Sequence, residues 1–181
     1  MLDEILGGIV NYGVGTVTSA LTGPPRIKLP VPHSAALGDH DLEAVVRQVS
    51  RVMKKEEELA GDHGTPPAST VRRLRSLLMN AAPLADLSPR CYASMVLLTR
   101  EACRLTRECE DGRSHAAWVH LTEVDSEIKY HLQVAEERMD DNEGGFTPDV
   151  QAKCLKCLAE IGETIDGFVD HATSVVNPRV V

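Results

Sequence analysis

The chain has 181 residues, a quarter of them charged, with 27 acidic against 19 basic side chains and a net charge of −8. That length suits one domain with a real core rather than two full-sized ones, and the acidic balance argues against nonspecific nucleic-acid binding by the surface as a whole. Five cysteines, an odd number, with no basic leader ahead of a dense apolar run, disfavour an extracellular disulfide framework and imply reduced thiols in a cytoplasmic setting.

Residues 1–23 form an N-terminal arm unlike the rest. From Ile5 to Pro25 no residue is charged, and glycine is interspersed with Ile, Val and Leu. A membrane-spanning helix needs about 20 mostly apolar residues; this run has the length, but glycine, Asn11, Thr16, Thr18 and Ser19 dilute it. Leu2 in place of glycine excludes an N-myristoyl anchor. Three readings stay open: a short helical stretch packed on the body, a segment contacting membrane, or an arm that orders against a neighbouring subunit, since glycine-rich chain loses much entropy on ordering alone. Ile5, Ile9, Val10, Val14 and Val17 are the candidate contact residues.

Residues 24–38 hold Pro24, Pro25, Pro30 and Pro32 and read as a semi-rigid linker. The body, residues 39–176, carries little aromatic content and almost no strand-like alternation. It predicts an all-α fold, an antiparallel bundle of about five helices with an extended glycine-rich arm.

The first helix is expected from about Asp41 to Ala60, with Leu42, Val45, Val46, Val49, Val52, Met53 and Leu59 facing inward and the Lys54–Glu58 run solvated. After the loop GDHGTPP a second helix runs from about Ser69 to Ala82. Its Arg72, Arg73 and Arg75, with Arg90 further on, form the one basic stretch of the chain. They are candidate phosphate or nucleic-acid contacts, although no aromatic residue interleaves to stack bases.

Ser88-Pro89 and Thr147-Pro148 each read as a hydroxyl N-cap followed by proline at the first helical position. A third helix is expected from Pro89 to about Glu110, ended by Asp111-Gly112. A fourth, capped by Ser114, presents Trp118, Leu121, Val124, Ile128, Leu132, Ala135 and Met139 at three-and-four spacing. DDNEGG turns the chain back into the last helix. There Val150, Cys154, Cys157, Ile161, Ile165, Phe168 and Ala172 form a heptad seam that fits an intramolecular or an intermolecular contact equally well. A short tail, residues 177–181, follows.

Chemistry-bearing motifs are weak. Cys154 and Cys157 make a CxxC, and His115, His120 and His131 lie on the preceding helix, so zinc ligation can be drawn. Both cysteines also occupy seam positions where a thiol acts as a small hydrophobe. No nucleophile elbow, phosphate loop, HExxH or dinucleotide fingerprint occurs, and neither a catalytic residue nor a cofactor site is assigned.

By layout, a helical body with an uncharged arm and a proline spacer resembles small structural proteins of the matrix or capsid type, including those of virions. The expectation is a non-enzymatic assembly or scaffold protein that forms homo-oligomers or docks a protein partner, with the arm on a membrane or a neighbouring subunit. The alternatives are an RNA-associated cofactor using the arginines, and a zinc-binding or thiol enzyme.

Overall fold

The computed structural model describes residues 39–141 and 145–178, with side chains from residue 43 onward. Those residues form six helices and no strand: α1 Asp39–Ala60, α2 Ala68–Asn80, α3 Leu84–Leu87, α4 Pro89–Gly112, α5 His115–Asp140 and α6 Pro148–Val176. The all-α class expected from the sequence is the class observed. The arm, the linker, the centre of the DDNEGG turn and residues 179–181 lie outside the described residues.

Local chemistry sets most of the helix ends. Gly61, at φ 66°, takes the left-handed position that follows α1, and Ala68 donates its N–H to the Gly61 carbonyl at 3.0 Å to close the loop into α2. Ser114 accepts the Ala117 N–H at the start of α5, and Thr147 accepts the Val150 N–H ahead of α6. Each hydroxyl satisfies a donor that the first turn leaves open.

Two expected signals act differently. Ser88 makes no side-chain cap bond, so α4 is started by Pro89 alone. Asp111-Gly112 does not stop α4 either. The helix includes Gly112 and ends at Arg113, which takes the left-handed conformation at φ 47°. The four-residue helix α3 was not anticipated; Pro83 separates it from α2, and a single turn offers no periodicity to read.

Between Cys91 and Thr99 helix α4 carries no charge, and Cys91 to Val96 are all buried. A helix apolar on all sides belongs at the centre, and α4 touches each of the other five helices. The core around it is aliphatic: Leu74, Leu78, Met95, Leu98, Leu105, Leu121, Ile128, Leu158 and Ile161 are essentially solvent-free. Each such side chain contributes about 1.5–3 kcal/mol by leaving water.

Contacts between helices fix their directions. Cys91, early in α4, donates its thiol to the carbonyl of His131, late in α5, while Cys109 lies against the Ser114 carbonyl, so α4 and α5 run antiparallel. Trp118 with Thr173, and Gln151 with the Met139 carbonyl, show the same for α5 and α6. Helix α1 meets α3, and its Glu56 reaches Arg100 and Arg107, so α1 runs in the same direction as α4.

On α1 the inward face is set by Val45, Val49, Met53, Glu56 and Ala60. That spacing brings Glu56 inside and rotates Leu59 out, where it is 58 % exposed, the reverse of the expected placement. On α6 the seam residues Cys154, Cys157, Ile161, Ile165, Phe168 and Ala172 are buried against the rest of the chain, whereas Val150 is exposed. Trp118 is half-buried rather than enclosed.

Candidate functional site

The candidate contacts Ile5, Ile9, Val10, Val14 and Val17 lie outside the described residues. The sequence-selected arginines and the cysteine and histidine residues fall into two places, and a third polar cluster, between α5 and α6, was not among those selected.

The first is the arginine stretch. Arg72 and Arg73 project from α2 at the surface, and each meets a carboxylate: Arg72 Nε is 2.6 Å from Glu57 Oε1 and Arg73 Nη2 is 2.9 Å from Glu160 Oε2. Arg75 Nη1 lies 3.1 Å from the second Glu57 oxygen, an ion pair without hydrogen-bond geometry. Arg90 sits apart, in the first turn of α4. Its neighbour Tyr92 donates to the Leu78 carbonyl at 2.7 Å, which places that turn at the C-terminal end of α2.

The acidic partner of this stretch is the Glu56-Glu57 pair, which the sequence presents as part of a solvated charge run. Glu56 is 3 % exposed and accepts from Arg100 Nε at 3.2 Å and from Arg107 Nη2 at 2.5 Å. Two consecutive carboxylates therefore hold four arginines from two helices, fastening α1 to α2 through Glu57 and to α4 through Glu56. Buried charge is tolerated only when paired and hydrogen-bonded, so this cluster fixes the position of α1 on the body. The signal in the sequence was the adjacency of two acids one helix away from basic residues. It became legible only when α1's register was known.

The second place is the cysteine and histidine region. All five cysteines are free and buried. Burial pushes the Cys91 and Cys103 thiols up to about 12 and Cys154 to about 11. Cys154 donates to the Ala81 carbonyl at 3.5 Å. These thiols stay protonated at neutral pH and pack as small apolar groups, the opposite of an activated nucleophile. Among the described residues no three His, Cys, Asp or Glu side chains converge as a metal site. His115 lies with its ring centroid 5.1 Å from that of Trp118, and His120 pairs with Glu123. The structure thus does not bring these histidines to the CxxC. His131 is mostly enclosed, its Nδ1 unpartnered and its Nε2 3.7 Å from Glu127; burial lowers its pKa below the usual imidazole value.

The third place is the α5–α6 contact. Lys129 Nζ lies 2.7 Å from Asp125 and 2.7 Å from Asp166. Desolvation raises the pKa of Asp125, while the Lys129 hydrogen bond lowers that of Asp166. A lysine shared by two carboxylates joins the helices and offers an incoming ligand little.

Among the described residues no helix is long and apolar enough to cross a membrane. Comparison with protein-family models, with curated proteins and with solved structures finds no match for this chain.

Proposed function

We propose that the protein is a non-enzymatic structural or scaffold protein. Its long helices α1, α2, α4, α5 and α6 form an antiparallel bundle, and it self-associates or docks a partner, with residues 1–23 contacting a membrane or a neighbouring subunit in a cytoplasmic setting. The observation that carries this reading is the fate of the α6 seam. Six of its seven apolar positions are buried within the same chain, so the heptad is not a free surface awaiting another molecule. The largest uncharged stretch left for association is Ile5–Pro25, joined through a proline-rich linker to a helix anchored by buried ion pairs.

The arginine stretch supports a nucleic-acid role less well, because Arg72, Arg73 and Arg75 already face carboxylates at 2.6–3.1 Å. A phosphate would have to displace each of them. Light scattering on the full chain and on a chain beginning at Ser34, each with and without anionic liposomes, tests the proposal. Assembly or lipid binding by the full chain alone agrees with it, and identical monomeric behaviour of both chains contradicts it.

A further inference from the structure

The helices around α4 do not close into a complete ring. Helix α1 packs on α2, α2 on α6 and α6 on α5, but α1 and α5 do not pack against each other, so one side of α4 is left between them. Side-chain contacts identify that side. On α4, Cys91 faces α5 through the His131 carbonyl, Tyr92 faces α2 through the Leu78 carbonyl, and Arg100 and Arg107 face α1 through Glu56. At about 100° per residue, the fourth side carries Ser94, Leu97, Arg104 and Glu108. On α5, Lys129 joins Asp125 to Asp166 of α6. Glu127 is two residues from both Asp125 and Lys129, about 160° round the helix, so it points away from α6, and His131 follows one turn on.

Exposure changes along this opening. Arg104 and Glu108 are exposed, as an uncovered strip should be. Nearer the start of α4 the same strip is covered: Leu97 is half-buried and Ser94 is 2 % exposed. Across from it Glu127 is 5 % exposed, and His131 is mostly enclosed with a buried, unpartnered Nδ1. Helix α3 touches α1, α4 and α5 and closes the extreme end, but Ser94 lies about two turns beyond Leu87, the last residue of α3.

The chain outside the described residues comprises 1–38, 142–144 and 179–181. Residues 142–144 have to join α5 to α6, and 179–181 follow the end of α6 that His171 and Glu110 place beside the far end of α4. Residues 24–38 run directly into α1, whose contact with α3 puts its start at the covered end of the opening. These fifteen residues reach up to about 50 Å, so spanning two helical turns requires no particular conformation. Their chemistry also sets them apart from residues 1–23, which hold no basic residue: they carry Arg26 and Lys28, no acid, and the aliphatic Ile27, Leu29 and Val31. A buried carboxylate such as Glu127 takes a cation, and half-buried Leu97 and Val124 take aliphatic cover.

We propose that residues 24–38 dock back onto their own body, in the covered half of the opening between α1 and α5, with Arg26 or Lys28 toward Glu127. The contact fixes the point from which residues 1–23 leave the body. It goes beyond the scaffold function and does not depend on it.

The test is hydroxyl-radical footprinting, read by mass spectrometry at Leu97 and His131, on the full chain and on two full-length variants: R26E/I27D/K28E/L29D, and I5D/V10D as a control in residues 1–23. Exposed Leu59 and Val119 serve as internal standards, and circular dichroism verifies that each variant is folded. The expected result is low labelling of Leu97 and His131 in the wild type, a severalfold rise in the fourfold variant and no rise in I5D/V10D. Unchanged labelling in the fourfold variant, or an equal rise in I5D/V10D, overturns the assignment to residues 24–38. Mixing the fourfold variant with nitrogen-15-labelled wild type identifies the donor. Docking within one chain leaves the variant reactive and the wild type protected, whereas protection of the variant by the wild type means a second copy and overturns the proposal. Both readouts hold for a monomer and for an assembly, so a failure of the scaffold function and a failure of this contact are seen separately.

Discussion

Glu56 is the residue on which the placement of α1 depends most. Its carboxylate is buried between Arg100 and Arg107, so Glu56→Gln leaves two guanidiniums without their counter-charge. The expected loss is about 3–5 kcal/mol. Arg73→Ala removes an ion pair whose arginine is 64 % exposed and is expected to cost at most about 1 kcal/mol. Equilibrium urea denaturation of the two variants checks the contrast. Arg113 offers a test of opposite sign. A left-handed residue with a side chain is strained by about 1–2 kcal/mol, so Arg113→Gly is expected to raise stability by about 1 kcal/mol in the same assay. His131 gives the acid dependence. Burial depresses its folded-state pKa below 6.5, so the unfolded chain binds the proton first as pH falls. Its contribution is complete above the unfolded value and is lost as pH drops from about 7 toward the folded value. His131→Asn is expected to flatten the stability profile in that window, as measured by denaturation midpoints at successive pH values.

Among the elements, α6 was the most legible in advance. Its apolar residues recur by three and four over a 29-residue helix, and a proline with a hydroxyl cap marks its start. Cys154, Ile161 and Ile165 duly lie in the core. Val150 did not follow, because position in a repeat says nothing of whether a neighbouring helix extends far enough to cover it. Ile161→Ala is expected to cost about 2–5 kcal/mol, and Val150→Ala, at an exposed site, less than about 0.5 kcal/mol; thermal melts of both variants decide. Helix α1 was harder to read. Its apolar residues permit two faces, and Leu59 was assigned inward where Glu56 goes instead. A charged residue's burial depends on arginines about 44 and 51 positions away in the chain, at Arg100 and Arg107, and no local pattern carries that information. The same long-range pairing hid the partnership between the acidic run of α1 and the arginines of α2.

At the scale of the whole molecule, the all-α class followed from composition and periodicity, and the helix order matched apart from α3. Among the described residues the core closes on itself: α4 touches every other helix, six of the seven α6 seam positions are buried within the chain, and the cysteines are free and buried. Such a body can hold a partner-binding segment in place, and on the function proposed above the uncharged N-terminal residues make that contact. The candidate contacts there rest on a break in charge pattern alone and lie outside the described residues. A charge-free run states an aversion to water without specifying which apolar surface relieves it. The most direct test of the central claim is light scattering on the full-length chain with Ile5, Ile9, Val10, Val14 and Val17 all replaced by serine, beside the wild type, with and without anionic liposomes. The account predicts that the wild type exceeds the 19.7 kDa mass of one chain or binds the liposomes, and that the serine variant is a folded monomer that does neither. Equal assembly and equal lipid binding by the two chains would contradict it.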